Sequence, residues 1–225
     1  MSGIITSKNN ITNDKVINFI EGYYRPLDDE LLRLREESEK NHIPIILRET
    51  ENYLADFLRL LNPSELLEIG TATGYSALFM ARLLSSARIT TIDRDIRRLA
   101  IASENFKKFG ANERISLLQG DAIKELKNLR KQGLTFDFAF IDASKSHYME
   151  FFEETALIVK DGGYVICDNV LFRGRTVADE YDPSKKYKTS IRKMREFVDF
   201  IMENHCFEAR LIATGDGLLI IRKKI

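Results

Sequence analysis

The chain has 225 residues, 34 basic against 34 acidic, with 44% hydrophobic side chains, which is enough for a full α/β core. That balance excludes a global field advertising a nucleic-acid or membrane partner, while a local basic face stays open. No apolar run reaches the roughly 18 residues of a membrane span. Two cysteines outside any motif, Cys167 and Cys206, point to a reducing cytoplasm rather than a disulfide framework.

Residues 1–13 read as a loose polar tail without the apolar core of a signal peptide. Helical patterns follow over 14–24, 28–41 and 47–61. In the third, Leu47, Tyr53, Leu54, Phe57, Leu58 and Leu61 form an apolar face. Pro44 is expected to stop the second helix, with an extended residue before it. This block is too small to stand alone, so 1–61 reads as a helical cap on an α/β core over 62–225, one domain in all.

The core opens on Leu66-Leu67-Glu68-Ile69-Gly70-Thr71-Ala72-Thr73-Gly74-Tyr75-Ser76. A short apolar strand runs into a Gly/Thr loop, and from Ser76 the apolar residues recur at three- and four-residue steps. Such a unit brings backbone N–H groups and a helix N-terminus up to a nucleotide-like ligand. The dinucleotide G-x-G-x-x-G and the P-loop Gly-Lys-Ser/Thr are both absent. Glu68 would repel a pyrophosphate but tolerate a sulfonium, which favours S-adenosylmethionine over NAD or ATP.

The alternation then becomes regular. Strands are expected at 88–92, 115–118, 136–141 and 164–167, with helices over 95–109, from 122 to 131, over 147–159 and over 189–204. Repeated β–α units of this length predict a doubly wound, mostly parallel, Rossmann-like sheet. Two apolar runs, 207–213 and 218–222, flank Thr214-Gly215-Asp216-Gly217. They read as a hairpin that puts one antiparallel strand into the sheet.

Acidic residues stand at the strand ends: Glu68, Asp93, Asp142 and Asp168. In open α/β sheets the carboxyl ends of the strands are where ligands bind. Asp93 follows Gly70 at about the 20-residue offset from which an acid reaches ribose hydroxyls, and Asp121 is placed for an adenine amino group. Each could instead cap the following helix. Asp142, Asp168 and Asn169 offer the hard oxygen ligands that magnesium takes, and without a His or Cys cluster zinc is disfavoured. Asp168-Asn169 could also simply begin a turn. Lys145, three residues after Asp142, can reach the same cavity and accept a proton beside a divalent cation. The alternative for it is a solvated surface lysine.

At these residues the chain resembles the cation-dependent O-methyltransferases, which include the catechol and caffeoyl-CoA enzymes. The matching segments are 67–76, Ile141-Asp142-Ala143-Ser144-Lys145 with Tyr148, Asp168-Asn169-Val170-Leu171 and Gly215-Asp216-Gly217. Within that family His42-Ile43-Pro44-Ile45, Phe172-Arg173-Gly174 and the basic ending resemble the bacterial members that methylate 5-hydroxyuridine in tRNA. The resemblance implies a seven-stranded methyltransferase sheet and S-adenosylmethionine held by Ile46, Glu68, Gly70, Ser76, Asp93, Asp121, Ala122 and Asp142. It also implies magnesium on Asp142, Asp168 and Asn169, with Lys145 and Asp142 at the chemistry, and a homodimer. The expected partner is the tRNA anticodon loop. For this Arg173, Arg175, Lys185, Lys186, Lys188, Arg192 and Lys193, with Arg195 beside them, would supply phosphate contacts; a solvated loop and helix is the other reading of these charges. The catechol enzymes carry a glutamate where this chain has Leu219. A small catechol or caffeoyl-CoA-type acceptor is the alternative substrate, and a non-catalytic nucleotide-binding protein on the same fold is the alternative class.

Overall fold

Helix and strand alternate along residues 14–225, the part that the computed structural model describes; the tail expected at 1–13 lies outside the described residues. In chain order the elements are α1 (Asp14–Glu21), α2 (Asp29–Lys40), α3 (Arg48–Leu61), β1 (Glu65–Ile69), α4 (Tyr75–Leu83), β2 (Arg88–Asp93), α5 (Ile96–Lys108), β3 (Ile115–Gln119), α6 (Ala122–Lys131) and β4 (Phe136–Ile141). A 3-10 turn, Lys145–His147, leads into α7 (Tyr148–Ala156) and β5 (Val159–Cys167). The chain ends with α8 (Lys188–Glu203), β6 (Phe207–Ile212) and β7 (Leu218–Lys223).

The seven strands form one sheet in the order β3-β2-β1-β4-β5-β7-β6. The strands β1 to β5 pair in parallel, and β7 lies antiparallel between β5 and β6. This is the doubly wound, Rossmann-like sheet expected from the β–α repeats and the terminal hairpin, with the seven strands that the resemblance implies.

Period-two alternation assigns the two faces. Leu66, Phe138, Phe140 and Ile166 pack with Leu54, Leu58, Leu78 and Phe106, so α3, α4 and α5 cover one side. Leu67, Ile69, Ala139, Ile141, Val165 and Cys167 pack with Leu126, Phe152, Met194 and Phe197, so α6, α7 and α8 cover the other. With both faces covered, the central strands read as continuous apolar runs. Truncating one of their fully buried phenylalanines costs about 3–5 kcal/mol. Among the described residues no helix is long and apolar enough to cross a membrane.

Several boundaries differ from expectation, and helix α1 closes at Glu21 rather than at Tyr24. Strand β5 begins at Val159, well before Tyr164, because Val159 pairs with Phe136 across a register shift and Gly162, at φ +79°, lets the chain bend without leaving the sheet. For the same reason α7 stops at Ala156. Helix α2 ends at Lys40, ahead of Pro44. There Asn41 N–H donates to Glu37 O, Ile43 N–H closes onto Ser38 O and His42 takes a left-handed φ of +55°, a C-terminal cap that needs no proline.

Candidate functional site

The carboxyl ends of β1, β2 and β4 open onto a cleft of about 560 Å³, within the range of small-molecule sites. Gly70 makes the cleft possible. Its φ is +109°, and a Cβ there would lie 2.0 Å from the Asp142 carbonyl oxygen, so only glycine lets loop one cross the end of β4. Gly74 serves packing instead, since a Cβ there would meet the Phe106 ring at 2.5 Å.

Beneath this loop Glu68 is sealed at 0% exposure. The Ser76 hydroxyl donates to one of its carboxylate oxygens, and Thr91 Oγ1 donates to the other at 2.5 Å. Burial pushes the Glu68 carboxyl up to about 7, against the lowering effect of those two donors. Glu68 thus supports the loop from below and does not line the cleft, whereas Gly70, Ser76, Asp93 and Ile46 do. Asp93 accepts from Ala72 N–H at 2.9 Å and from Asp95 N–H at 3.0 Å. The cap of α5 is Asp95, so helix capping does not account for Asp93. Asp121 does cap its helix, accepting from Lys124 N–H at 3.2 Å, and with Ala122 it also lines the cleft.

One wall comes from Pro44 to Leu47, between α2 and α3, held by a network that sequence patterns did not reveal. Arg35, 1% exposed, donates from Nη1 to Ile46 O and from Nε to Tyr75 Oη, both at 3.0 Å. Its Nη2 pairs with Glu51. Tyr75 and Tyr24 also donate to Glu51, at 2.6 and 2.5 Å, and burial, followed by the hydrogen bond to Glu51, pushes the Tyr24 phenol up to about 12. Tyr75 stood in the glycine-loop motif, but nothing in the spacing of Arg35 or Glu51 advertised that they would meet it.

At the far end of the cleft the structure brings Asp142, Lys145, Asp168 and Asn169 together. Lys145 Nζ donates to Asn169 Oδ1 at 2.7 Å and to Asp142 Oδ1 at 3.3 Å. It lies 5.7 Å from the centre of the Tyr148 ring, and Tyr148 Oη donates to the Asp168 carbonyl at 2.7 Å. Lys145 is thereby tied into the cleft and is no solvated surface lysine. Asp168 is fully buried. Asn169 N–H donates to its Oδ1 at 2.6 Å, while its Oδ2 has no hydrogen-bond partner. Burial first, and the Asp142 charge second, raise its pKa well above the ordinary carboxylate range.

An orphaned buried carboxylate oxygen beside a second carboxylate and an amide oxygen fits a hard divalent cation, and the ammonium between Asp142 and Asn169 marks where positive charge is wanted. Among the described residues no group of three or more His, Cys, Asp or Glu could hold a metal; the candidate set is two carboxylates and an amide. Asp216, 4% exposed, also lines this end, and burial pushes it up to about 6. The sequence marked it by the flanking glycines and by the Gly215-Asp216-Gly217 match to the family, without giving it a role.

The expected phosphate contacts divide. Arg173 is exposed at the rim and lines the cleft, and Lys185, Lys186 and Lys188 are exposed on the segment leading into α8. Arg175, Lys193 and Arg195 tie this stretch to its surroundings, whereas Arg192 makes an exposed pair along α8. Arg175 stacks against Phe172 and Tyr187, at 5.2 and 4.8 Å from their centres. Arg192 pairs with Glu196 at 2.5 Å, Lys193 donates to Ser146 O at 3.0 Å, and Arg195 bonds Thr176 O and Asp179, both at 2.8 Å. Phe172, which joins the wall of the cleft, stood in the sequence only as part of the Phe172-Arg173-Gly174 resemblance and not as a site residue.

Comparison with known proteins agrees with this geometry. The sequence model of a family described as O-methyltransferase matches residues 23–224. Tapetum-specific methyltransferase 1 of Arabidopsis thaliana is 30% identical over 238 residues, spanning 100% of both chains. Caffeoyl-CoA O-methyltransferase of Populus kitakamiensis is 31% identical over 210 residues, 87% of this chain and 86% of the relative. Among solved structures, SAH-bound Podospora anserina methyltransferase PaMTH1 superposes with a TM-score of 0.84 at 27% identity, covering 99% of this chain and 100% of the other. A fold, a strand-end cleft and a full-length match of this kind place the chain in the O-methyltransferase family, whose members include the caffeoyl-CoA enzymes.

Proposed function

We propose that the protein is an S-adenosylmethionine- and magnesium-dependent O-methyltransferase that converts 5-hydroxyuridine at the wobble position of a tRNA anticodon to 5-methoxyuridine. The observation that carries the reading is the meeting of Asp142, Asn169 and Lys145 at one end of a cleft whose other end is built of Gly70, Asp93 and Asp121, with the buried Asp168 carboxylate close enough to feel the charges of Asp142 and Lys145. The similarity to an SAH-bound methyltransferase supports the cofactor. Ile46, Gly70, Ser76, Asp93, Asp121 and Ala122 would hold it, with Asp142 between it and the metal. Glu68 would act through Ser76 and the loop above it.

When bound, the sulfonium supplies the methyl group, and a divalent cation on Asp142, Asp168 and Asn169 supplies the Lewis acidity that lowers an acceptor hydroxyl's pKa. The remaining work falls to the chain. The Lys145 amine holds or accepts the acceptor's proton at Nζ, and the Tyr148 ring and the Asn169 amide set its position. The cleft walls, Phe172 and Tyr75, bring acceptor and methyl donor into line, where proximity accounts for much of the barrier reduction.

A 5-hydroxyuridine suits the site because its 5-hydroxyl and 4-carbonyl oxygens are vicinal, as in a catechol. Its RNA context is supported by Arg173 at the cleft and by the exposed Lys185, Lys186 and Lys188 further along the same stretch of chain. The similarity to caffeoyl-CoA enzymes favours the second reading, a small-molecule acceptor. Against a catechol stands Leu219, fully buried in β7 opposite Cys167, where it offers no acidic anchor. A homodimer in the cytoplasm completes the proposal, and the exposed Phe19 of α1 and Tyr23 just beyond it would offer a second copy an apolar face.

The test is transfer of a labelled methyl group to tRNA lacking the modification, to a catechol and to caffeoyl-CoA, with magnesium and with a chelator. Nucleoside mass spectrometry of tRNA from a deletion strain runs beside it. We expect magnesium-dependent labelling of tRNA and accumulation of 5-hydroxyuridine in the deletion strain. Labelling of a small acceptor alone, with an unchanged nucleoside profile, would install the second reading.

A further inference from the structure

The turn between β6 and β7 reaches into the metal-facing end of the cleft and binds the segment that follows Asn169. Val170 N–H donates to Gly217 O and Leu171 N–H to Asp216 O, each at 3.1 Å, and Arg173 N–H donates to Asp216 Oδ1 at 2.5 Å. Gly217 sits so close that a Cβ there would meet Leu171 Cγ at 2.4 Å. The two segments, about 45 residues apart in sequence, therefore pack backbone against backbone.

The segment so held is strained. Asn169, Phe172 and Arg173 have φ of +55°, +49° and +56°, the left-handed region that costs an L residue roughly 1–2 kcal/mol. Within it Phe172 N–H donates to Asn169 O and Arg175 N–H to Phe172 O, each at 3.1 Å, and Thr176 N–H to Leu171 O at 3.3 Å, whereas the Arg173 N–H is bonded outside the segment. Such a conformation persists only where the surroundings over-determine it. The strongest outside hold is the carboxylate of Asp216, withdrawn from water to 4% exposure and accepting a charge-assisted bond from the Arg173 amide.

We propose that Asp216 is a positioning residue. By gripping the Arg173 N–H from the hairpin, it keeps Asn169 turned toward Asp142 and Asp168, and holds Phe172 at the cleft wall. The inference rests on the divalent-cation reading of those three residues. Asp216 touches neither donor nor acceptor in this scheme. It acts as partners behind a metal's ligands act, where removal typically weakens metal binding by about 10- to 100-fold.

Titration of Mn²⁺, followed by the paramagnetic signal of the free ion, tests it on the full-length protein, with calorimetric binding of S-adenosylhomocysteine and thermal unfolding measured alongside. Asp216→Ala is expected to weaken Mn²⁺ by about 10- to 100-fold and to leave S-adenosylhomocysteine affinity unchanged. Asp216→Asn, whose amide oxygen can still accept the Arg173 N–H, is expected to restore Mn²⁺ affinity. A purely structural aspartate would lower the unfolding temperature and leave Mn²⁺ affinity alone, and that result overturns the proposal. Where Asp216→Ala does not fold, Asp216→Ser, too short to reach the amide, replaces it with the same expectation. A wild-type protein without saturable Mn²⁺ binding removes the metal reading and this inference with it, whereas wild-type binding unchanged in the variant removes the inference alone.

Discussion

Replacing Arg35 by methionine tests whether the N-terminal helices are bound to the cleft by one buried ion pair. Methionine keeps the bulk of the side chain and removes its charge and donors. It leaves the Glu51 carboxylate 3% exposed, solvated by two phenols and no cation. Removing one partner of a buried pair costs about 3–5 kcal/mol. The Tyr24 and Tyr75 hydroxyls stay on Glu51 and soften that cost, while the guanidinium packed 4.6 Å from the Tyr75 ring centre is lost and adds to it. We expect a net loss of about 4 kcal/mol. At roughly 2–4 °C per kcal/mol for a chain of this size, the unfolding midpoint should fall by about 8–16 °C. Removing both charges with Arg35→Met and Glu51→Leu should recover most of the stability, because no unpaired charge remains. Cofactor affinity should stay impaired in both variants, since Ile46 O and Tyr75 Oη have lost the donor that fixed them. Urea unfolding followed by circular dichroism, with S-adenosylhomocysteine titration, measures both. A single-variant cost below about 1 kcal/mol, outside that range, or a double variant no more stable than the single, would refute the reasoning.

Glu68 gives a pH dependence of definite sign. Its folded pKa of about 7 lies above the ordinary value of 4.5, so between these limits the folded state holds a proton that the unfolded state has released. Stability therefore falls as pH rises through this window and levels off above it. Glu68→Gln should remove that slope, a relative gain of roughly 3 kcal/mol from the bottom of the window to the top; parallel wild-type and variant curves from denaturant unfolding would count against it. Gly70→Ala puts a methyl group on the Asp142 carbonyl and should weaken S-adenosylhomocysteine by at least tenfold, about 1.4 kcal/mol, as calorimetry would show. Neutralising Arg173, Lys185, Lys186 and Lys188 together should flatten the salt dependence of tRNA binding by about 3 in log–log slope, at about 0.7 per single-strand contact. An unchanged slope in filter binding would place the RNA elsewhere.

The strands, the glycine loop and the acidic strand ends were legible in the sequence because their cause is local. An apolar run of strand length, a glycine that alone tolerates φ of +109°, and an aspartate at the next position all express backbone geometry over a few residues. The full-length match to a family is written in the same residues. Where local signals compete, reading them fell short: the strand expected from Tyr164 starts at Val159 and runs through Gly162 and Gly163, and Pro44 looked like a helix stop that His42 had already supplied.

The tertiary structure alone decided which side chains share a space. Glu68 and Asp93 both follow apolar strand residues, yet one is sealed under the loop and the other faces the cleft. The pleat and the helix laid over it determine that outcome. Arg35, Glu51 and Tyr75 meet across three helices, and Asp216 reaches the Arg173 amide across 43 residues. Residues that far apart carry no shared period or spacing. Their contact exists only once the sheet has set its strand order and buried charge has had to find a partner.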